Sequence, residues 1–222
     1  MPLSLSLSRP KNKPRISITL HPRGKNSIGE NRARLKYSAF HWGVLISPKH
    51  ASQPSGVGEH VSAHVHFDVT DSIYVDPVTG ESSDAWRFRV RRSTDPVGEF
   101  RILGRVEVGK VPLLSSGSGS GSRSGSGVGF EELVERVRER LGAIPLPRKE
   151  FRQEENCVSW TRAAIGGLGE MGVLGLGLGE GFEIEEFMDV ALGFADECLA
   201  SLGEKGMGRV LDYRPGVGKR VK

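Results

Sequence analysis

Two segments of the chain alternate between polar and apolar side chains, and this alternation is the feature that most limits the fold. The first segment, 63–71, has three polar and three apolar positions on opposite faces: His64, His66 and Asp68 against Val65, Phe67 and Val69. The second segment, 85–92, repeats the pattern: Arg87, Arg89 and Arg91 against Trp86, Phe88 and Val90. Because successive side chains of a strand point to opposite faces, both segments are predicted to be half-buried strands.

Further strands are predicted at 15–21, 37–47 and 101–111. The segment 37–47 is nearly all apolar, which indicates a central strand that is buried on both faces. No helical pattern separates these strands, so we expect them to form an antiparallel sheet.

Helical patterns follow in the second half of the chain. Apolar residues recur at helical spacing in 130–141, 156–171 and 182–202, which predicts three helices. The expected fold class is therefore α+β, with a small antiparallel sheet packed against about three helices.

The composition suggests where the folded domain begins and ends. Residues 1–14 are polar and basic and are predicted to be a disordered tail, and residues 204–222 are predicted to be a second basic tail. The range 15–203 is expected to form a single α+β domain. Positions 115–129 are almost entirely glycine and serine, which predicts a flexible insertion within that domain.

Charge and cysteine content exclude several classes of protein. The net charge of +4 arises largely in the two tails, which are poor in the aromatic residues that stack on bases, so no specific nucleic-acid partner is expected. Two cysteines are too few for a disulfide framework. The N-terminus is not expected to be a signal peptide and no transmembrane segment is predicted, so a cytoplasmic or nuclear location is expected. It specifies no oligomeric state.

A cysteine and a distant histidine are the best candidates for chemistry. Asn156 is a good N-cap, so Cys157 is expected to begin a helix, and His41 is expected to lie on the central strand. A helix N-terminus and a nearby imidazole both lower the pKa of a thiol and favour the reactive thiolate. Either His66 or Asp68, on a neighbouring strand, would orient the imidazole as the third member of the site. The alternative is that Cys157 is a small buried apolar residue without a catalytic role.

Four short motifs, taken in order, resemble a known superfamily. They are His41-Trp42, the strand from His64 to Val69, Leu103-Gly104-Arg105-Val106, and Cys157-Val158-Ser159-Trp160. The set resembles a group of filamentous-fungal proteins and, more broadly, the permuted papain-like thiol superfamily. That superfamily includes the NlpC-type peptidases, the PPPDE peptidases and the lecithin:retinol acyltransferase family.

The resemblance implies a permuted papain-like fold, in which a strand histidine precedes a cysteine at a helix N-terminus. It also implies a thiol hydrolase or acyltransferase whose substrate is a small molecule, a lipid or a peptide. Two positions depart from the pattern. Val158 stands where the relatives have a polar residue, and alignment on Val69 puts Asp68 at the place of the second-strand histidine, with His66 two residues earlier. A catalytically inactive member of the same fold, serving as a binding module, is the alternative.

Other polar clusters are predicted to have no catalytic role. The histidines His60, His64 and His66 provide too few ligands for a closed zinc site, so neither a metal nor a cofactor is expected. The strand arginines are predicted to lie on a solvated outer face of the sheet. The alternative is that they hold an anionic substrate or a phosphate.

Overall fold

The predicted strands form one mixed sheet in a computed structural model that describes residues 13–48, 63–111, 128–151, 154–174, 182–213 and 220–221. The strands of the sheet are β1 (Arg15–Pro22), β2 (Phe40–Ser47), β3 (His64–Thr70), β6 (Arg87–Ser93), β7 (Gly104–Lys110), β8 (Arg209–Asp212) and the short β9 (Arg220–Val221). They are arranged in the order β6-β3-β2-β1-β7-β8-β9. A separate hairpin of β4 (Tyr74–Val75) and β5 (Ser82–Ser83) lies between β3 and β6 in sequence.

Three long helices accompany the sheet, as the periodicity predicts. They are α3 (Val128–Gly142), α4 (Cys157–Glu170) and α5 (Ile184–Ala200). Three short helices were not predicted: α1 (Gly29–Leu35), α2 (Pro96–Phe100) and α6 (Leu202–Lys205). The α+β class is therefore confirmed.

Two predictions are corrected by the structure. The range 204–222 is not simply a tail, because β8 and β9 join the sheet. The prediction of a purely antiparallel sheet is also wrong, since β8 runs parallel to β7, with Gly104 opposite Arg209. Helices lie between these two strands in sequence, and such a connection is what a parallel pair requires. Val128 and Gly129 belong to α3, whereas the rest of the Gly/Ser segment and residues 1–12 lie outside the described residues.

The two faces of the sheet carry different kinds of side chain, apolar on one face and polar on the other. On one face, alternate residues of β1 and β2 are wholly buried in an apolar core with α3, α4 and α5: Ile16, Ile18, Leu20, Trp42, Val44 and Ile46. Each such side chain stabilises the fold by about 1.5–3 kcal/mol. The opposite face carries polar side chains, and α2 with the residues after it covers part of this polar face through a small cluster of Leu45, Phe100 and Ile102.

Gly43, on β2, is the residue that gives the polar face room. A Cβ atom at this position would lie 2.7 Å from the imidazole of His66 and 2.9 Å from the main-chain oxygen of Phe67. Contacts this short do not occur in folded proteins, so only glycine lets β2 and the side chain of His66 pack together.

We therefore expect Gly43→Ala to lower the free energy of unfolding by about 1–3 kcal/mol, the usual effect of overpacking. Gly166→Ala, in α4, is the matched control, because a Cβ atom there would meet no atom within 4 Å. That variant should gain roughly 0.5–1 kcal/mol from helix propensity. Urea denaturation of both variants measures the difference, and equal changes in the two would contradict the assigned role of Gly43.

Candidate active site

Cys157 is the first residue of α4, as the sequence predicts. Asn156 has extended backbone dihedral angles and caps the helix. Its side-chain oxygen accepts a hydrogen bond of 2.8 Å from the N–H of Val158, and its own N–H donates to Oγ of Ser159 at 2.9 Å. This reciprocal capping fixes Cys157 at the positive end of the helix dipole, where a thiolate is stabilised.

His41, at the start of β2, connects the cysteine with an acidic residue on β3. Its Nε2 lies 2.9 Å from Oδ2 of Asp68. The imidazole is also paired with the thiol of Cys157. Because Nε2 of His41 is hydrogen-bonded to Asp68, the other ring nitrogen, Nδ1, is the one available to the sulfur of Cys157. The structure thus brings three of the predicted site residues together in the order Cys157, His41, Asp68.

The electrostatics of this chain favour a charged thiolate–imidazolium pair. Burial alone would lower the pKa of His41, but hydrogen bonds to Asp68 and Cys157 raise it to about 9. Burial likewise would raise the pKa of Cys157. The hydrogen bond and charge of His41, with a hydrogen bond from the main chain of Trp42, outweigh burial and lower that pKa. Both shifts point to proton transfer from sulfur to imidazole.

Asp68 is wholly buried, and two arginines of β6 hold it in its charged form. Arg89 donates from Nε to Oδ1 at 2.9 Å and from Nη2 to Oδ2 at 2.6 Å, and Arg91 donates from Nη2 to Oδ2 at 3.0 Å. Burial would raise the pKa of Asp68, but hydrogen bonds from His41 and Arg89 keep it well below its usual range. The prediction that these arginines lie on a solvated outer face is therefore wrong, because both bind Asp68 on the polar face.

His66, the other predicted candidate for orienting the imidazole, belongs to a buried group that adjoins Asp68 and shares Arg91 with it. Its Nε2 lies 2.9 Å from Oγ1 of Thr19 and 3.2 Å from Nε2 of His21, and its Nδ1 lies 3.2 Å from Nη2 of Arg91. Burial lowers the pKa of His66 far below its usual value and that of His21 to about 3, so both rings are neutral. Among the two candidates, it is Asp68 that contacts His41.

Arg89, Arg91 and His21 lie at the site although they were not predicted to belong to it. The signal that could have found the arginines is the register of β3 and β6, in which Asp68 lies opposite Arg89 and His66 lies opposite Arg91. Polar residues alternate with apolar residues along β3, and arginines do so along β6. This pattern predicts cross-strand ion pairs, but only once it is known that the two strands pair.

The histidines considered as zinc ligands do not form a metal site within the described part of the chain. His64 lies 2.9 Å from Oγ of Ser47, and His60 lies outside the described residues. Within the described ranges, no group of three or more histidine, cysteine or acidic residues could hold a metal ion. Those same ranges contain no helix that is long and apolar enough to cross a membrane.

A largely apolar cleft of about 440 Å³ lies beside α4. It is lined by the loop that precedes the helix and by the helix itself: Ile144, Pro145, Leu146, Pro147, Trp160 and Ala163, with Arg148, Glu155 and Ser159. Cys157 does not line this cleft, because the helix turns its side chain toward a different face.

The comparisons with known proteins concern the strand half of the site. Residues 13–116 match the model of a family of unknown function, DUF6914. This range contains His41, His66 and Asp68 and ends before Cys157. No curated protein and no solved structure matches the chain.

The site predicts different reactivity for the two cysteines. Cys198, in α5, is wholly buried, and burial raises its pKa to about 11. Because the pKa of Cys157 is lowered, we expect iodoacetamide to alkylate Cys157 faster than Cys198 at neutral pH. Peptide mass spectrometry gives both rates in one experiment. Equal rates, or a faster Cys198, would contradict the assigned electrostatics.

Asp68→Asn tests the cause of the lowered pKa of Cys157. Loss of the carboxylate destabilises the imidazolium of His41, which raises the pKa of the thiol. Alkylation at neutral pH should then slow by about tenfold for each unit of that rise, and raising the pH should restore it. Asp76→Asn, in the exposed β4–β5 loop, is the control and should leave the rate unchanged. Circular dichroism shows whether Asp68→Asn remains folded.

Proposed function

We propose that the chain is a cysteine-dependent hydrolase or acyltransferase that cleaves an ester, thioester or amide bond through an acyl-enzyme on Cys157. The observation that carries the proposal is the chain of contacts in which His41 joins the thiol of Cys157 to the buried carboxylate of Asp68. These residues supply a nucleophile, a base and a group that orients the base, which are the groups used in acyl transfer.

In the first half of the reaction, the thiolate of Cys157 attacks the carbonyl carbon of the substrate and forms a carbon–sulfur bond. The carbonyl oxygen becomes negatively charged in the tetrahedral intermediate. The main-chain N–H of Cys157 has no partner within its helix, since it belongs to the first turn, and it is the donor we assign to this oxygen. The carbonyl group then re-forms, the bond between its carbon and the leaving group breaks, and the imidazolium of His41 gives its proton to the departing alcohol, thiol or amine. The product of this half is a thioester on Cys157.

In the second half, water or an acceptor molecule attacks the thioester on Cys157. His41, now neutral, takes the proton of the attacking group, and the carbon–sulfur bond breaks to regenerate the thiolate–imidazolium pair. Asp68 does not touch the substrate in this scheme. It is a positioning residue that fixes the ring of His41 and favours its protonated form.

We also infer a permuted papain-like arrangement for the fold. The supporting observation is the order of the parts: His41 lies on a strand of the sheet, and Cys157 begins a helix that packs against the same sheet later in the chain. The substrate would be a small molecule, a lipid or a peptide.

A binding module without catalytic activity is the second candidate. Cys157 is only 2% exposed, which favours this reading, because a nucleophile must be reached by its substrate. The side chain of His41 is 21% exposed, so the substrate would have to approach from the side of the imidazole.

Reaction with an activated aryl ester distinguishes a thiol hydrolase or acyltransferase from a binding module. We expect the protein to release a burst of the aryl alcohol that is stoichiometric with Cys157, and mass spectrometry should find the acyl group on that residue. Cys157→Ser and His41→Gln should each reduce the rate by at least about a hundredfold, in line with the contribution of general-base catalysis. Cys198→Ser is the matched control and should retain the full burst.

If Cys198→Ser and Cys157→Ser gave the same burst as the unchanged protein, ester cleavage would not involve Cys157 and the proposal would be wrong. Rapid alkylation of Cys157 without an acyl-enzyme from any activated ester would favour the binding module.

A further inference from the structure

Arg23 lies at the end of a central strand of the sheet that carries the site. It directly follows β1, and β1 pairs with β2 so that His21 is opposite His41 and Pro22 is opposite Phe40. The chain therefore leaves the sheet at Arg23. This point lies beside the end of β2 that carries His41, the residue that contacts Cys157. The side chain of Arg23 is exposed.

Two hydrogen bonds join Arg23 to the N-terminus of α4. Its Nη1 donates to the main-chain oxygen of Ser38 at 3.1 Å, and Oγ of Ser38 accepts from Nδ2 of Asn156 at 3.5 Å. Asn156 is the residue before Cys157. The guanidinium is close enough for its charge to act on the thiol: burial raises the pKa of Cys157, His41 and the main chain of Trp42 lower it, and Arg23 contributes to the lowering.

The charge of Arg23 is not neutralised by an acidic side chain within the described residues. Other arginines nearby are paired, Arg32 with Asp196 and Arg162 with Glu185. Glu155, which precedes the capping residue of α4, is bound by Arg148. Arg23 instead donates to a main-chain carbonyl, and a guanidinium has five N–H donors, so donors remain for a ligand.

The site as a whole carries an excess of positive charge. With the thiolate–imidazolium pair formed, the negative groups are Cys157 and Asp68. The positive groups are His41, Arg23 and the two arginines on Asp68, which makes four against two. Transfer of the proton between His41 and Cys157 leaves this excess unchanged, so the site favours an anion in either state.

We propose that Arg23 is a substrate-binding residue that holds an anionic group, a carboxylate or a phosphate, on the molecule attacked by Cys157. A guanidinium binds either group through paired N–H donors. This proposal rests on the proposed function, because it assigns a substrate class to the same thiol. Arg23 selects and places the substrate and takes no part in proton transfer.

The test compares two alkylating reagents that differ in charge, iodoacetate and iodoacetamide. In both reactions the thiolate of Cys157 displaces iodide and a carbon–sulfur bond forms, so the ratio of the two rates reports attraction of the carboxylate. We expect Arg23→Gln to lower the iodoacetate-to-iodoacetamide ratio at Cys157 about fivefold at low salt, as one lost charge near the surface predicts. Lys25→Gln, an exposed residue of the same loop, should leave the ratio unchanged.

Arg23→Lys keeps the charge and loses the paired donors, so it should retain part of the ratio. Acetate and inorganic phosphate, added at matched ionic strength, identify the preferred anion by which of them slows the iodoacetate reaction more. If neither anion slowed it more than chloride, or if Arg23→Gln left the ratio unchanged, the assignment of Arg23 would be wrong.

These outcomes are distinct from failure of the proposed function. A charge-dependent ratio without any acyl-enzyme would leave Arg23 as the anion-binding residue of a module that has no hydrolytic activity. An acyl-enzyme together with an unchanged ratio would reject Arg23 and retain the enzyme. A Cys157 that reacts with neither reagent would contradict both.

Discussion

The carboxylate of Asp68 is the group on which the polar face of the sheet depends. It is wholly buried, and an unpaired charge in such a place would cost several kcal/mol. Three side chains from two neighbouring strands compensate it: His41 of β2, and Arg89 and Arg91 of β6. Loss of one partner weakens this compensation, and loss of Asp68 would leave three cationic groups without their shared counter-ion. The ion cluster therefore favours the observed pairing of these strands as well as the orientation of the imidazole.

This cluster requires a particular architecture around it. The sheet packs one face against long helices and still buries a second, polar face, which is possible because Gly43 leaves room for His66 and because Phe100 lies over the network. The thiol is supplied from the other layer, since α4 packs on the apolar face and presents only its first residue to His41. The candidate site therefore lies where the two layers meet, at the end of β2.

Much of this arrangement could be predicted from the sequence, and the limits have physical reasons. The alternation in 63–71 placed His66 and Asp68 on one face, and the capping residue Asn156 placed Cys157 at a helix start, because both are local signals. The choice between His66 and Asp68 could not be made, since it depends on the register between β2 and β3. The strand β8 was missed because it is only four residues long and lies within a basic stretch that resembles a tail. Its strand structure depends on pairing with β7, which local sequence does not show.

The roles of Arg89, Arg91 and Arg23 illustrate the same limit. From sequence alone, each arginine is predicted to be a solvated surface residue. Only the pairing of strands, or the path of a loop, brings it to the site. Electrostatic function of this kind arises from long-range contacts, and the spacing of residues along the chain does not record them.

The reactivity expected of the site depends on a thiolate–imidazolium pair between Cys157 and His41, supported by Asp68. Titration of the His41 ring by nuclear magnetic resonance tests it most directly, in the unchanged protein and in Cys157→Ser. We expect His41 to stay protonated up to about pH 9 in the unchanged protein and to lose its proton at lower pH in the variant, where no thiolate stabilises the charge. A His41 that titrates at the ordinary value for histidine, and that is unaffected by the loss of the thiol, would contradict the account.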